Sequence, residues 1–188
     1  MSLGAQASCL QLAAGRERFY TFLMELNSLT SSAAESELLK CCGSKQWARL
    51  MTAARPFESL DELIARADRI WWSLTPADWL EAFHSHPKIG EKKAAVAVAR
   101  EAQQWSEAEQ AGVRGAAAET TAALAELNET YEKKFGYIFI VCATGKSSEE
   151  ILAILRERLP HDKDEELRIA AEEQAKITEL RLRKLLSA

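Results

Sequence analysis

Few residues in this chain can interrupt a helix: of 188 residues only 8 are glycine and 4 proline. That scarcity argues against a turn-rich β architecture and favours long helices. No apolar run approaches the roughly 20 residues that a membrane-spanning helix needs. The first basic residue is Arg16, after a short apolar stretch, so a secretory leader is not expected. The last four residues, Leu-Leu-Ser-Ala, form neither a lipidation box nor a peroxisomal address. Net charge is −4, without the concentrated basic face of a nucleic-acid binder. Cysteine is equally sparse and scattered, at 9, 41, 42 and 142. No Cys-x-x-Cys pair occurs, and reduced thiols in the cytoplasm are the expectation.

What the chain does contain is a soluble globular mixture, 47% hydrophobic and 28% charged. The length suits one domain able to bury its own core. Helix signals recur along it. Ser59-Leu-Asp-Glu62 is a capping box before the helical spacing of Leu60, Leu63, Ile64, Ala67, Ile70 and Trp71. Thr75-Pro76-Ala77-Asp78 opens a helix that must end before Pro87. A further helix is expected from near Ser106 to Phe135, with Gly112 and Gly115 as possible breaks. Ser147-Ser-Glu-Glu150 caps one running to about Leu159, and the last extends from about Lys163 to Leu186. Only Tyr137-Ile-Phe-Ile-Val-Cys142 has strand character. A lone strand has no partner, so it reads as a buried extended connector. The expected fold is all-α: one compact multi-helix domain over 1–188, with residues 1–38 the least defined.

Candidate chemistry begins at His84-Ser-His86-Pro-Lys-Ile-Gly90. A His-x-His pair with no third ligand nearby is a weak metal signal. His86 could instead act as acid or base where the helix breaks, and an ordinary packed histidine is the plain alternative. Ser106-Glu-Ala-Glu109-Gln110 is a capping box, or equally the seat of a small anion at a helix N-terminus. On the final helix, Leu167, Ala170, Ala171, Gln174, Ile177, Thr178, Leu182 and Leu185 share one face, with Arg181 in its middle. A buried arginine needs a carboxylate, from the protein or from a ligand. Arg156 and Arg158 lie on a shorter helix and weigh less. Adjacent Cys41 and Cys42 seldom bridge each other, and the five tryptophans read as core anchors.

Taken together, these segments resemble the OHCU (2-oxo-4-hydroxy-4-carboxy-5-ureidoimidazoline) decarboxylase family. The resemblance rests on Cys-Cys-Gly-Ser at 41–44, Ala-Arg-Pro-Phe at 54–57, Trp-Leu-Glu-Ala-Phe at 79–83 and His-Pro-Lys-Ile-Gly at 86–90. It continues through Ser-Glu-Ala-Glu-Gln at 106–110, Leu-Asn-Glu-Thr-Tyr at 127–131, residues 134–142 and Lys-Ile-Thr-Glu-Leu-Arg-Leu at 176–182. It implies an all-α, usually homodimeric enzyme needing neither metal nor organic cofactor, which decarboxylates the ureidoimidazoline to (S)-allantoin during urate breakdown. By position it makes His86 the proton donor, Glu109 its acidic partner and Arg181 a substrate-binding residue. Pro87, Ser106 and Gln110 would line the pocket, with backbone from Phe139, Ile140, Val141, Cys142 and Ala143 reading the substrate's ring edge. The chain has Ile138 where many members have proline, and His84 where small residues are common. The competing readings are a helical interaction module without catalysis, a metallohydrolase using His84 and His86, and a thiol peroxidase built on Cys41 and Cys42.

Overall fold

Each helix begins and ends for a local reason, and those ends fix how the chain turns. In the computed structural model, which describes residues 20–87, 105 and 118–185, residues 20–28 are helical and seven bounded helices follow. They are α1 (Ser31–Cys42), α2 (Lys45–Ala53), α3 (Leu60–Ser73), α4 (Pro76–His84), α5 (Ala118–Phe135), α6 (Ser148–Arg158) and α7 (Lys163–Leu185). No strand occurs among the described residues, and the expected connector at 137–142 is non-helical and buried except for half-buried Ile138. The all-α expectation holds. The expected start of a helix near Ser106, and its possible breaks at Gly112 and Gly115, lie outside the described residues.

Capping chemistry matches the sequence with one difference. Ser147 and Glu150 form the reciprocal box at α6, and Asp78 accepts from both the backbone N–H and hydroxyl of Thr75 at α4. At α3 the Ser59 hydroxyl accepts from the Glu62 N–H as expected. The Glu62 carboxylate, however, reaches back one residue further, to the N–H of Glu58. Either choice gives a partner to a backbone donor just ahead of the helix.

Helices α1, α3 and α4 pack on α7, and α2 packs on α1, α3 and α4. Tryptophan indoles tie this layer together. Trp47 donates to the Ala67 carbonyl at 3.1 Å, Trp71 to Ala171 at 3.0 Å and Trp79 to Trp71 at 3.0 Å. Each ring therefore buries apolar area and satisfies its one donor on a neighbouring element. Trp72, by contrast, stays 38% exposed, its indole N–H held by Asp68.

Several of the family-like segments turn out to be joints. The Arg55 guanidinium donates to the carbonyls of Leu26 and Leu29 at 2.6 and 2.8 Å, covering acceptors at the end of the helical stretch 20–28. Phe57 exchanges two backbone bonds with the Asn27 amide. Glu81 accepts from the N–H of Lys45, joining α4 to the start of α2. Lys134 donates to the carbonyls of Leu159 and His161, tying α5 to the end of α6.

A buried ionic cluster joins α5, α6 and α7. Arg158, which the sequence had given little weight, is 4% exposed, and Glu166 is fully buried. The guanidinium donates to Oε1 of Glu166 at 2.9 and 2.5 Å and to the Ile140 carbonyl at 2.8 Å. Tyr131 donates to the same carboxylate oxygen, and His161 Nδ1 lies 3.0 Å from the other. The Phe139 ring lies under the guanidinium, 4.7 Å from its centroid. Removing one member strands a buried charge, which typically costs about 3–5 kcal/mol. Arg158→Met should lower the urea-denaturation free energy by that order. Arg158→Met combined with Glu166→Gln should recover part of the loss. Equal stability of Arg158→Met and the parent chain would show that the cluster contributes nothing.

Candidate active site

The helix-breaking effect of Pro87 places His86 two residues past the end of α4, in a short turn. Its backbone N–H donates to the Phe83 carbonyl, and its ring turns onto α7. There His86 Nε2 lies 2.7 Å from Oε1 of Gln174. The Gln174 amide nitrogen donates in turn to Thr178 Oγ1 at 3.2 Å and to the Cys42 carbonyl at 3.4 Å. Arg181 follows on the same face and is 2% exposed. Positions 174, 178 and 181 are four and three residues apart, the spacing that stacks side chains on one helix face.

Burial and the positive charge of Arg181 pull the His86 imidazole down to about 3 from its ordinary 6.5, against the opposing pull of the Gln174 bond. The ring is therefore held neutral. The same Arg181 charge acts on Cys41 and Cys42, but burial dominates there. It pushes Cys41 strongly up and Cys42 up to about 12, so both stay protonated and poorly nucleophilic. Buried, protonated thiols of this kind lend no support to the thiol reading. The two histidines of the His-x-His pair do not converge either. His84 is exposed with its Nδ1 on the Leu80 carbonyl, whereas His86 engages Gln174. Among the described residues no group of three His, Cys, Asp or Glu side chains could hold a metal ion.

The connector is hung from the same turn of α7. Glu173 accepts from the Cys142 N–H at 2.7 Å, and Lys146 donates to the Cys142 carbonyl at 2.7 Å. Burial raises the Glu173 carboxyl, but the bonds from Lys176 and the Cys142 N–H outweigh it and hold the group below its usual value. Phe83 of α4 packs on Tyr137, with ring centroids 5.3 Å apart. Of the backbone expected to read a substrate, Ile140 C=O and both polar groups of Cys142 thus already bind protein side chains.

The Cys41–Ser44 tetrapeptide underlies the site. Gly43 ends α1 at φ +85°, a left-handed conformation that favours glycine. A side chain there would place its first carbon 2.1 Å from Ser85 Oγ and 2.6 Å from Ser85 Cβ. Only a bare α-carbon lets the end of α1 approach the turn that carries His86. Ser44 then caps α2 by accepting from the Trp47 N–H.

The structure thus brings His86, Pro87, Arg181 and the 139–143 connector to α4, α7 and the chain leading into α6. Ser106, Glu109 and Gln110 lie outside the described residues. Sequence reasoning missed Gln174 as a functional partner, although the signal was present. It had placed Gln174 on the apolar stripe, and a buried amide needs partners just as a buried arginine does.

A match to the family model "OHCU decarboxylase" covers residues 27–183. The chain belongs to the OHCU decarboxylase family. It is 41% identical over 154 residues to the uric acid degradation bifunctional protein of Arabidopsis thaliana, covering 81% of this chain and 47% of that protein. It thus spans about half the length of that relative. It is 32% identical over 138 residues to the 2-oxo-4-hydroxy-4-carboxy-5-ureidoimidazoline decarboxylase of Haloferax volcanii, covering 72% of this chain and 78% of that enzyme. Among solved structures, a crystal structure of an OHCU decarboxylase in the presence of (S)-allantoin superimposes with a TM-score of 0.69. That structure is 40% identical and covers 81% of this chain and 99% of its own.

This family member should respond to a methyl group at its tightest joint. Gly43→Ala should cost more than about 1 kcal/mol, the usual scale for alanine forced into positive φ, and should lower activity by displacing the His86 turn. Adding Ser85→Gly should restore activity more than stability, because it removes the contact and leaves the backbone strain. Unchanged Tm and rate in Gly43→Ala would refute the close-approach argument.

The His86 shift carries a pH signature. A folded-state value below the unfolded one means that the unfolded chain binds more protons between the two. Stability from this group is therefore complete above about 6.5 and declines as pH falls toward about 3. Plotting denaturation free energy against pH should give a shallower slope across that window for His86→Ala than for the parent. Identical slopes would mean that His86 titrates normally.

Proposed function

We propose that this chain decarboxylates 2-oxo-4-hydroxy-4-carboxy-5-ureidoimidazoline to (S)-allantoin, with His86 moving the proton and Arg181 holding the substrate. One observation carries the reading: on a chain of this family, the His86 imidazole from the end of α4 is bonded to Gln174 on the face of α7 that also carries the buried guanidinium of Arg181.

The substrate carries its hydroxyl and carboxyl on the same ring carbon. When the bond to the carboxylate breaks, carbon dioxide leaves and the bonding pair moves into the ring. The pair passes through the bond between ring carbons 4 and 5 to the ring imine nitrogen, which gains the one proton taken up overall. The hydroxyl proton then departs as its carbon becomes a carbonyl, and ring carbon 5 gains a proton. Because the ring itself accepts the electron pair, no electron-sink cofactor is required. A neutral His86 suits this sequence. It can accept the hydroxyl proton and return it to one face of carbon 5, which would fix the hand of the product. Arg181 offers a planar fork to a carboxylate or carbonyl edge. With the Ile140 and Ala143 carbonyls and both polar groups of Cys142 engaged within the protein, the other backbone groups of residues 139–143 are the ones suited to reading the ring. Glu109, Ser106, Gln110 and Pro87 take the roles that the family resemblance gives them. A homodimer in the cytoplasm, working without metal or organic cofactor, completes the proposal. Among the described residues no helix is long and apolar enough to cross a membrane.

The test is to generate the unstable substrate from urate with the two preceding enzymes and follow circular dichroism. The parent chain should give rapid, optically active (S)-allantoin. His86→Ala should lose about 10²- to 10⁴-fold in rate with an unchanged far-ultraviolet spectrum. Racemic product at the uncatalysed rate with the parent chain would overturn the decarboxylase reading in favour of an interaction module.

A further inference from the structure

We propose that Gln174 is a positioning residue that fixes His86 in its Nε2–H tautomer and thereby assigns the reaction's proton traffic to Nδ1. The inference rests on His86 acting as the acid–base group, and it adds which ring atom acts and what selects it.

The argument runs along a chain of hydrogen bonds that starts at the backbone. The Cys42 carbonyl can only accept, and it lies 3.4 Å from one end of the Gln174 amide. That end must be the NH₂ group, because the amide oxygen would face another oxygen there. The Thr178 hydroxyl, 3.2 Å from the same nitrogen, can accept its other hydrogen. The opposite end of the amide is then the carbonyl oxygen, which can only accept. It lies 2.7 Å from His86 Nε2, so Nε2 must carry the hydrogen. In a neutral imidazole the other nitrogen, Nδ1, then holds the lone pair. Gln174 is itself fully buried and spans 88 residues to His86 and 132 to Cys42. A glutamine there, unlike a carboxylate, orients the ring without holding a counter-charge that would favour imidazolium.

The test combines ¹⁵N spectroscopy of the ring with kinetics. The chain has three histidines, at 84, 86 and 161, so the His86 signals are identified by their loss in His86→Ala. In the parent chain near pH 7, His86 should show a protonated Nε2 and a bare Nδ1. Gln174→Met keeps the side-chain length and removes the acceptor. It should mix the tautomers and lower kcat about 10- to 100-fold, the scale found for supporting partners of metal-bound imidazoles, with little change in KM. Gln174→Glu keeps an acceptor facing Nε2 and adds charge. It should restore the Nε2–H form and part of kcat, and move the acidic limb of the pH–rate profile upward as the imidazolium is stabilised. A merely structural role would lower Tm in both variants without touching tautomer or pH profile. A parent ring protonated at Nδ1, or a Gln174→Met variant with parental tautomer and kcat, would overturn the proposal. Full activity in His86→Ala would instead defeat the acid–base reading on which it rests.

Discussion

The structure depends on the polar row buried along one face of α7. A 23-residue helix is a stiff rod, rising about 1.5 Å per residue. It buries Glu166, Gln174, Thr178 and Arg181 among Ala170, Ala171, Ile177, Leu182 and Leu185. Burying so many polar groups is unfavourable unless each finds a partner. Those partners come from α5 and α6, with Tyr131 and Arg158 for Glu166, and from the end of α1 and the turn after α4, with Cys42 and His86 for Gln174. Satisfying the helix therefore positions the rest of the chain. The ionic cluster at one end holds α5, α6 and the connector. The Gln174 relay, about 12 Å along the axis at that rise, holds the turn after α4.

The fold was largely legible because its signals are local. Pro76 at the start of α4, Pro87 beyond its end, and the serine and threonine caps act within a few residues of themselves. At Ser59, Thr75 and Ser147 local rules read the caps correctly apart from the reach of Glu62. The connector was legible for the same reason, since its short apolar run had no partner to pair with. Arg181 was legible as a contradiction, a charge on an apolar stripe. What stayed hidden depends on distant pairs. Nothing near Arg158 in sequence announces that it will meet Glu166, Tyr131 and the Ile140 carbonyl together. Gly43 carried no signal of its own beyond its place in the Cys-Cys-Gly-Ser segment, and only the folded chain shows how close Ser85 lies to it.

The same separation explains why the family resemblance was stronger than any single motif. Its segments sort into joints and chemistry. Arg55, Glu81, Tyr131 and Lys134 bond to backbone or to buried partners on other elements and hold those elements together. Cys42 contributes its backbone carbonyl, so the neighbouring thiols are bystanders in a tightly packed corner. Among the described residues of those segments, half-buried His86 and buried Arg181 are the ones whose chemistry suits a small anionic substrate. A pattern spread over so many joints identifies a fold more firmly than it identifies a reaction, because each joint is tied to geometry.

The two arms of the site cannot move independently. Glu173 holds the connector through the Cys142 N–H, and the adjacent Gln174 holds His86. Consecutive residues on one helix turn, both satisfied on buried or half-buried partners, leave no hinge between them. A shift of the connector would have to drag Glu173, and rotation of α7 to follow it would pull Gln174 from the imidazole. Ile138, where many family members carry proline, lies upstream of this anchor. The Arg158 bond to Ile140 and the Glu173 bond to Cys142 fix the connector after it. The backbone freedom that isoleucine has over proline is therefore confined to the segment before Ile140, and the anchored residues after it keep their register without the rigid ring.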